Sequence, residues 1–139
     1  MKLSARNQFQ GTVTKINEGA VNGIVTLDVC GTPVTSTISL AAIHELGLEP
    51  GKNAYAVIKA TEVMVGKGAH LPLSARNQFP GKVINVEKGA VNSIVKIAAL
   101  GSNVISATIS NAAVEDLGLK PGDDALAVIK ATSVMIGID

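Results

Sequence analysis

The hexapeptide Ser-Ala-Arg-Asn-Gln-Phe occurs twice, at Ser4–Phe9 and Ser74–Phe79, and the sequence after it repeats as well. Residues 3–66 pair with residues 70 or 71 positions downstream, with one gap, and 36 of those 64 positions are identical. Gly19-Ala20-Val21-Asn22 returns as Gly89-Ala90-Val91-Asn92, and Ala56–Thr61 returns as Ala127–Thr132. Two copies describe a duplicated domain, because a solenoid needs three or more stacked units. The implied organisation is a first domain over residues 1–66, a linker over 67–72 and a second domain over 73–139. Duplication also supplies an internal comparison. The retained positions include Arg, Lys, Asn and Ser, which a core alone does not demand.

Each half of the 139-residue chain lies near the lower limit for a self-sufficient core. Phe9, Phe79 and Tyr55 are the only aromatic residues, yet 47% of the chain is apolar, nearly all of it aliphatic. So much aliphatic surface on so small a unit predicts burial between subunits, and hence a homo-oligomer. The net charge of +1, without a basic tract, argues against nucleic-acid binding, which rests on clustered Lys and Arg. The single Cys30 excludes a disulfide framework and a multi-cysteine zinc site. It aligns with Leu100 and reads as a small buried hydrophobe. The start, Met1-Lys2-Leu3-Ser4, lacks a signal-peptide apolar run, and no apolar stretch is long enough to span a bilayer. The expectation is a cytoplasmic protein with no membrane partner.

Alternating patterns predict strands at Phe9–Ile16, Val21–Cys30 and Val34–Ile38, with copies at Phe79–Val86, Val91–Leu100 and Val104–Ile109. Val21, Gly23, Val25, Leu27 and Val29 would share one face. The one-residue length difference falls in the turn between the second and third strands, where insertion is tolerated. The period then changes. Ser39 caps a short helix with Leu40, Ile43 and Leu46 at helical spacing, and Gly47 ends it; Ser110–Gly118 repeats the arrangement. Two strands finish each half, Ala54–Ala60 with Val63–Val65, and Ala125–Ala131 with Val134–Ile136. The fold class is mainly β: two tandem OB-fold-like five-stranded barrels, each with one short helix. The aromatic platform that OB barrels use for oligonucleotides is missing.

No catalytic constellation is present, so no enzymatic activity is expected. His44 and His70 have no counterparts in the other copy and belong to no metal-spacing motif. Acidic residues Glu18, Asp28, Glu49 and Glu62 are matched by Lys88, Ala98, Lys120 and Ser133, so paired-carboxylate chemistry is not preserved. Both copies keep donors instead. Arg6 and Arg76 carry fixed N–H forks, Lys59 and Lys130 are expected inside otherwise apolar strands, and Ser4, Ser74, Ser39 and Ser110 offer hydroxyls. The last two stand at helix N-termini, where free N–H groups and the dipole favour anions. Individually, Ser39 is also explained as a cap, Arg6 as a surface ion pair and Lys59 as a snorkelling side chain. Their joint retention across the duplication favours an anion site.

Ser-Ala-Arg-Asn-Gln near the start, Gly-Ala-Val-Asn, Thr-Ile-Ser before a helix ending Leu-Gly-Leu, and Val-Ile-Lys-Ala-Thr-x-Val-Met together resemble the molbindin (Mop) domain. The resemblance covers both halves. It implies a tandem, non-catalytic protein that binds molybdate and, similarly, tungstate, for molybdenum storage and homeostasis in the cytoplasm. The alternative is a molybdate-responsive regulatory or delivery module acting through a partner protein. It also implies OB-like barrels assembled as trimers with oxyanion sites at subunit interfaces. One site would use Ser4, Ala5, Arg6, Lys59, Ala60 and Ser39, the other Ser74, Ala75, Arg76, Lys130, Ala131 and Ser110. Some relatives carry a further hydroxyl where this chain has Ala42 and Ala113. Gly19, Ala20, Val21 and Asn22, with Gly89, Ala90, Val91 and Asn92, would lie near a second class of site.

Overall fold

A computed structural model describes residues 1–139. In the first half, β1 (Asn7–Glu18), β2 (Asn22–Val29) and β3 (Thr32–Ser39) lead into α1 (Leu40–Glu45), then β4 (Asn53–Ile58) and β5 (Met64–Gly66). The second half repeats this as β6 (Asn77–Lys88), β7 (Asn92–Ala99), β8 (Asn103–Ser110), α2 (Asn111–Leu117), β9 (Asp124–Ile129) and β10 (Met135–Gly137). The result is two curled, five-stranded antiparallel sheets of the OB type, each with one short helix.

The curl originates in the first strand of each half. Residues 7–12 of β1 pair with β4, and residues 12–18 pair with β2, with a bulge between Val13 and Lys15. A bulge bends its strand and increases local twist, which lets one strand serve both sides of a barrel. Gly11 sits at the crossing: a Cβ there would stand 2.5 Å from the Asp28 carbonyl oxygen. Gly81 meets Ala98 in the same way, so both copies need the missing side chain.

The predicted alternation holds for Gly23, Val25, Leu27 and Val29, all buried. Val21 is 73% exposed, because β2 begins one residue later and Val21 belongs to the preceding turn. Cys30 is also exposed rather than buried. It takes a left-handed conformation (φ 50°) with Gly31 (φ 87°) in the two-residue β2–β3 turn, and its side chain meets Gly101 at the tip of the other hairpin. The second hairpin has three residues in its turn, the extra one lying where the alignment puts the gap, and there Leu100 joins the core. Helix packing is compensated between copies. Gly23 makes room for Ile43, whereas the second half has Ser93 opposite the smaller Val114, with the Ser93 hydroxyl bonded to Asn111.

The short final strands do not stay in their own halves. β5 pairs with β9, and β10 pairs with β4, so the sheet orders are β10-β4-β1-β2-β3 and β5-β9-β6-β7-β8. The two strands that finish each half do not pair with one another but take part in a reciprocal exchange. Its local cause is the connection: after β4, Lys59 stays extended (φ −69°, ψ 138°) and residues Ala60–Glu62 form a 3-10 turn, which carries the chain onward instead of reversing it. The equivalent turn, Ala131–Ser133, does the same after β9. Consequently one cluster of 25 buried apolar residues runs through both halves.

Candidate functional site

The repeated hexapeptide is a set of separate devices. Phe9 and Phe79 are 4% and 3% exposed and anchor the motif in the core. Asn7 reaches the other half: its Nδ2 donates to the Ser106 carbonyl (2.9 Å) and its Oδ1 accepts from the Ser106 N–H (2.8 Å). Asn77 makes the same pair of bonds to Thr35. Gln8 Nε2 donates to the carbonyls of Ala5 (2.9 Å) and Leu3 (3.3 Å), holding the arm before β1 in place. Gln78 instead bonds both backbone groups of Leu71. Core anchor, clamp and tie therefore fix the one part of the motif left at the surface, Ser4-Ala5-Arg6.

That arm meets the end of β4. Ser4, Ala5 and Arg6 line a cleft of about 370 Å³ with Lys59, Ala60 and Thr61, while Met135 from the exchanged strand closes one wall. Ser74, Ala75 and Arg76 line a matching cleft of about 360 Å³ with Lys130, Ala131 and Thr132. Lys59 and Lys130 lie just beyond β4 and β9, not inside them, at the start of the 3-10 turns. The turns use the N–H groups of Glu62 and Val63, bonded to Lys59 and Ala60 carbonyls, and those of Ser133 and Val134 likewise. The N–H groups at the front of each turn are left over, as at any helix start. None of Arg6, Lys59, Arg76 and Lys130 is paired with a carboxylate.

Each cleft thus holds an arginine, a lysine, two hydroxyls and backbone donors, with no Asp, Glu, His or Cys in its lining. No three such side chains converge anywhere to hold a metal cation. Donors with positive charge and no acceptor of their own suit a compact oxyanion, which needs several charge-assisted hydrogen bonds to leave water. Thr61 and Thr132 were absent from the sequence-based site; their retention beside Lys-Ala in both copies was the available signal.

Ser39 and Ser110 stand elsewhere. Each accepts a bond from the backbone N–H three residues on, Ala42 and Ala113, at 3.1 Å. They pair in register with Asn22 and Asn92, and so belong with the Gly-Ala-Val-Asn turns. Those turns are closed by Gly19 N–H to Asn22 O (2.8 Å) and Gly89 N–H to Asn92 O (2.9 Å), and dock on the helices through Val21 O and Val91 O. The retained polar groups therefore form two clusters per half, an Arg–Lys cleft and a cap–turn cluster, kept apart within one chain.

A duplicated OB-like barrel with a matched arginine- and lysine-lined cleft in each half defines the class: a tandem OB-like fold. The chain belongs to the TOBE domain family, whose model matches residues 3–65 and 73–136, in keeping with the tandem molbindin motifs. It is 41% identical over 140 residues to the molybdenum transport protein ModE of Herbaspirillum seropedicae, covering 99% of this chain and 52% of that protein. It is 61% identical over 67 residues to a probable molybdenum-pterin-binding protein of Haemophilus influenzae, covering 48% of this chain and 97% of that protein. The chain spans about half the length of the ModE relatives, and single-repeat relatives span about half of it. Among solved structures, the cytoplasmic molybdate-binding protein ModG, with molybdate bound, superposes with a TM-score of 0.96 at 42% identity over 100% of both chains.

Proposed function

We propose that this chain binds molybdate in its two Arg–Lys clefts and acts as a non-catalytic store of the oxyanion. One observation carries the reading: a cationic, carboxylate-free cleft built twice, in a fold that matches a molybdate-bound protein along its whole length. Ser4, Ala5, Arg6, Lys59 and Ala60 hold one anion, and Ser74, Ala75, Arg76, Lys130 and Ala131 the other, with Thr61 and Thr132 adding hydroxyls. Tungstate, equal in charge and close in size, is accepted alongside. The clefts hold no carboxylate, histidine or cysteine beside their hydroxyls to act as an activating base, which supports binding without turnover.

The open clefts and exposed side chains support completion by neighbouring copies, and we assign the assembly as a trimer. Leu3 and Leu73, Val21 and Val91, Ile24 and Ile94, and Met64 and Met135 are matched pairs of exposed apolar residues, the pattern expected of a repeated interface. In that assembly Ser39 and Ser110 approach the clefts of adjacent subunits, and the Gly-Ala-Val-Asn turns gather near the symmetry axis. No helix is long and apolar enough to cross a membrane, which is compatible with a cytoplasmic store.

Native mass spectrometry with added molybdate tests subunit number and anion count together, and calorimetry tests affinity. The absence of uptake at micromolar to tens-of-micromolar molybdate rejects the proposal. The second reading, a sensing or delivery module, is favoured by the longer ModE relatives, in which such a pair forms about half the chain. Molybdate-dependent capture of a partner from lysate would select it.

A further inference from the structure

The two clefts share the same polar lining but differ in what lies behind them. On the Arg6 side a second cavity of about 440 Å³ adjoins the first, and Arg6 and Ala60 line both. Its floor is the outer face of the second sheet: Lys96 on β7, Ser106 and Thr108 on β8, and Glu87 on β6. Register places these side by side, since Lys96 pairs with Ser106, and Glu87 and Thr108 both pair with Ile94. The Asn7–Ser106 clamp brings Arg6 over this face, and the 3-10 turn Ala60–Glu62 packs against β8.

The pseudo-equivalent face in the first sheet carries Thr26 for Lys96, Thr35 for Ser106, Thr37 for Thr108 and Asn17 for Glu87. No second cavity joins the Arg76 cleft there, and Ala131 is buried where Ala60 is only partly so. The first sheet does own a lysine in the corresponding row, but on the neighbouring strand β1, as exposed Lys15 opposite Thr26. Lys96, by contrast, is half-buried. It makes no ion pair, and neither does Glu87. A half-buried ammonium is screened less than an exposed carboxylate, so at the floor of this cavity Lys96 outweighs Glu87.

We propose that Lys96 makes the Arg6 cleft the tighter of the chain's two oxyanion sites, so that it fills first. This rests on the oxyanion reading above and adds an order of filling to it. The clefts are duplicated, but their charge environments have diverged, and one chain then covers two concentration ranges of the same anion.

Half-site variants isolate the clefts. Arg76→Ala with Lys130→Ala leaves the Arg6 cleft, and Arg6→Ala with Lys59→Ala leaves the Arg76 cleft; all four residues are exposed. Calorimetry with molybdate should show the Arg6 cleft binding about tenfold tighter at low salt, the order expected of one added charge acting on a dianion near a surface. The difference should shrink in high salt and vanish on Lys96→Thr, and Thr26→Lys should tighten the Arg76 cleft. Without half-site variants, the unaltered chain should titrate in two phases and the single variant Lys96→Thr in one. Equal half-site affinities, or a difference indifferent to Lys96→Thr, overturn the inference while leaving molybdate binding intact. Failure of the unaltered chain to bind removes the oxyanion reading itself.

Discussion

Asn7, fully buried at the start of the first sheet, is hydrogen-bonded through both ends of its amide to the backbone of Ser106 in the second. The side chain replaces a strand neighbour, satisfying one N–H and one C=O on the edge of β8. Asn77 repeats the device on Thr35 of β3. These clamps join the repeats and also set the distance between Arg6 and the opposite sheet. Asn7→Ala should destabilise the chain by about 2–3 kcal/mol, the loss of two bonds plus the stranding of two buried backbone groups. Asn77→Ala should cost a similar amount. Denaturant unfolding measures both, and a loss under 0.5 kcal/mol would show the edge finding other partners.

The reciprocal exchange of β5 and β10 predicts the behaviour of a single repeat. Residues 1–72 contain β5 but no β10 to complete their own sheet, so the edge of β4 is left open. An open edge recruits a strand. This fragment should form a dimer in which two copies trade β5, as the two halves do within the intact chain. Size-exclusion chromatography with light scattering decides the matter; a folded monomer would mean that β5 can turn back onto β4.

That exchange also marks where sequence reasoning stops. Strands, helix, caps and the location of the extra residue all follow from local periodicity and turn chemistry, and they agree with the structure. The partner of β5 does not, because the residues it would meet in either half, Ala56-Val57 and Ala127-Val128, are the same dipeptide. Local pattern cannot separate pairing within a repeat from pairing between repeats. For the candidate site, duplication singled out Arg6, Lys59 and their copies, and the structure brings them together with Ser4 and Ala5. It could not show that Ser39 lies with the Gly-Ala-Val-Asn turn, nor that the Asn of the hexapeptide is a buried clamp. A retained polar residue reads alike whether it faces a ligand or a carbonyl.

Arg6 and Arg76 should matter through geometry as well as charge. Arg→Lys at both keeps the positive charge but replaces a planar, five-donor fork with a flexible point charge. Loss of one charge-assisted bond is worth about 1.5–3 kcal/mol, so molybdate affinity should fall at least tenfold. The fold should survive, because both side chains are exposed. Calorimetry gives the affinity and circular dichroism the fold. Unchanged affinity would reduce the arginines to a source of field.

Low pH should loosen the contact between the linker and the second half. Burial alone would raise the Asp123 pKa. It is outweighed by the Lys120 N–H bonded to Oδ2 (3.1 Å) and by the ammonium of Lys67 in the linker (3.4 Å), so the net shift is downward. A folded-state pKa below the unfolded one means that the ionised form is preferentially stabilised by folding. Its contribution is complete above the usual aspartate value of 3.8 and disappears as pH falls through the lower folded value. The stability difference between the unaltered chain and Asp123→Asn should therefore be flat from neutral pH down to about pH 5 and shrink below it. Lys67→Met should move the loss to higher pH by removing one source of the shift. Carboxyl NMR titration reads the group directly, and an Asp123 that titrates at or above the usual value would refute the linker contact as its cause.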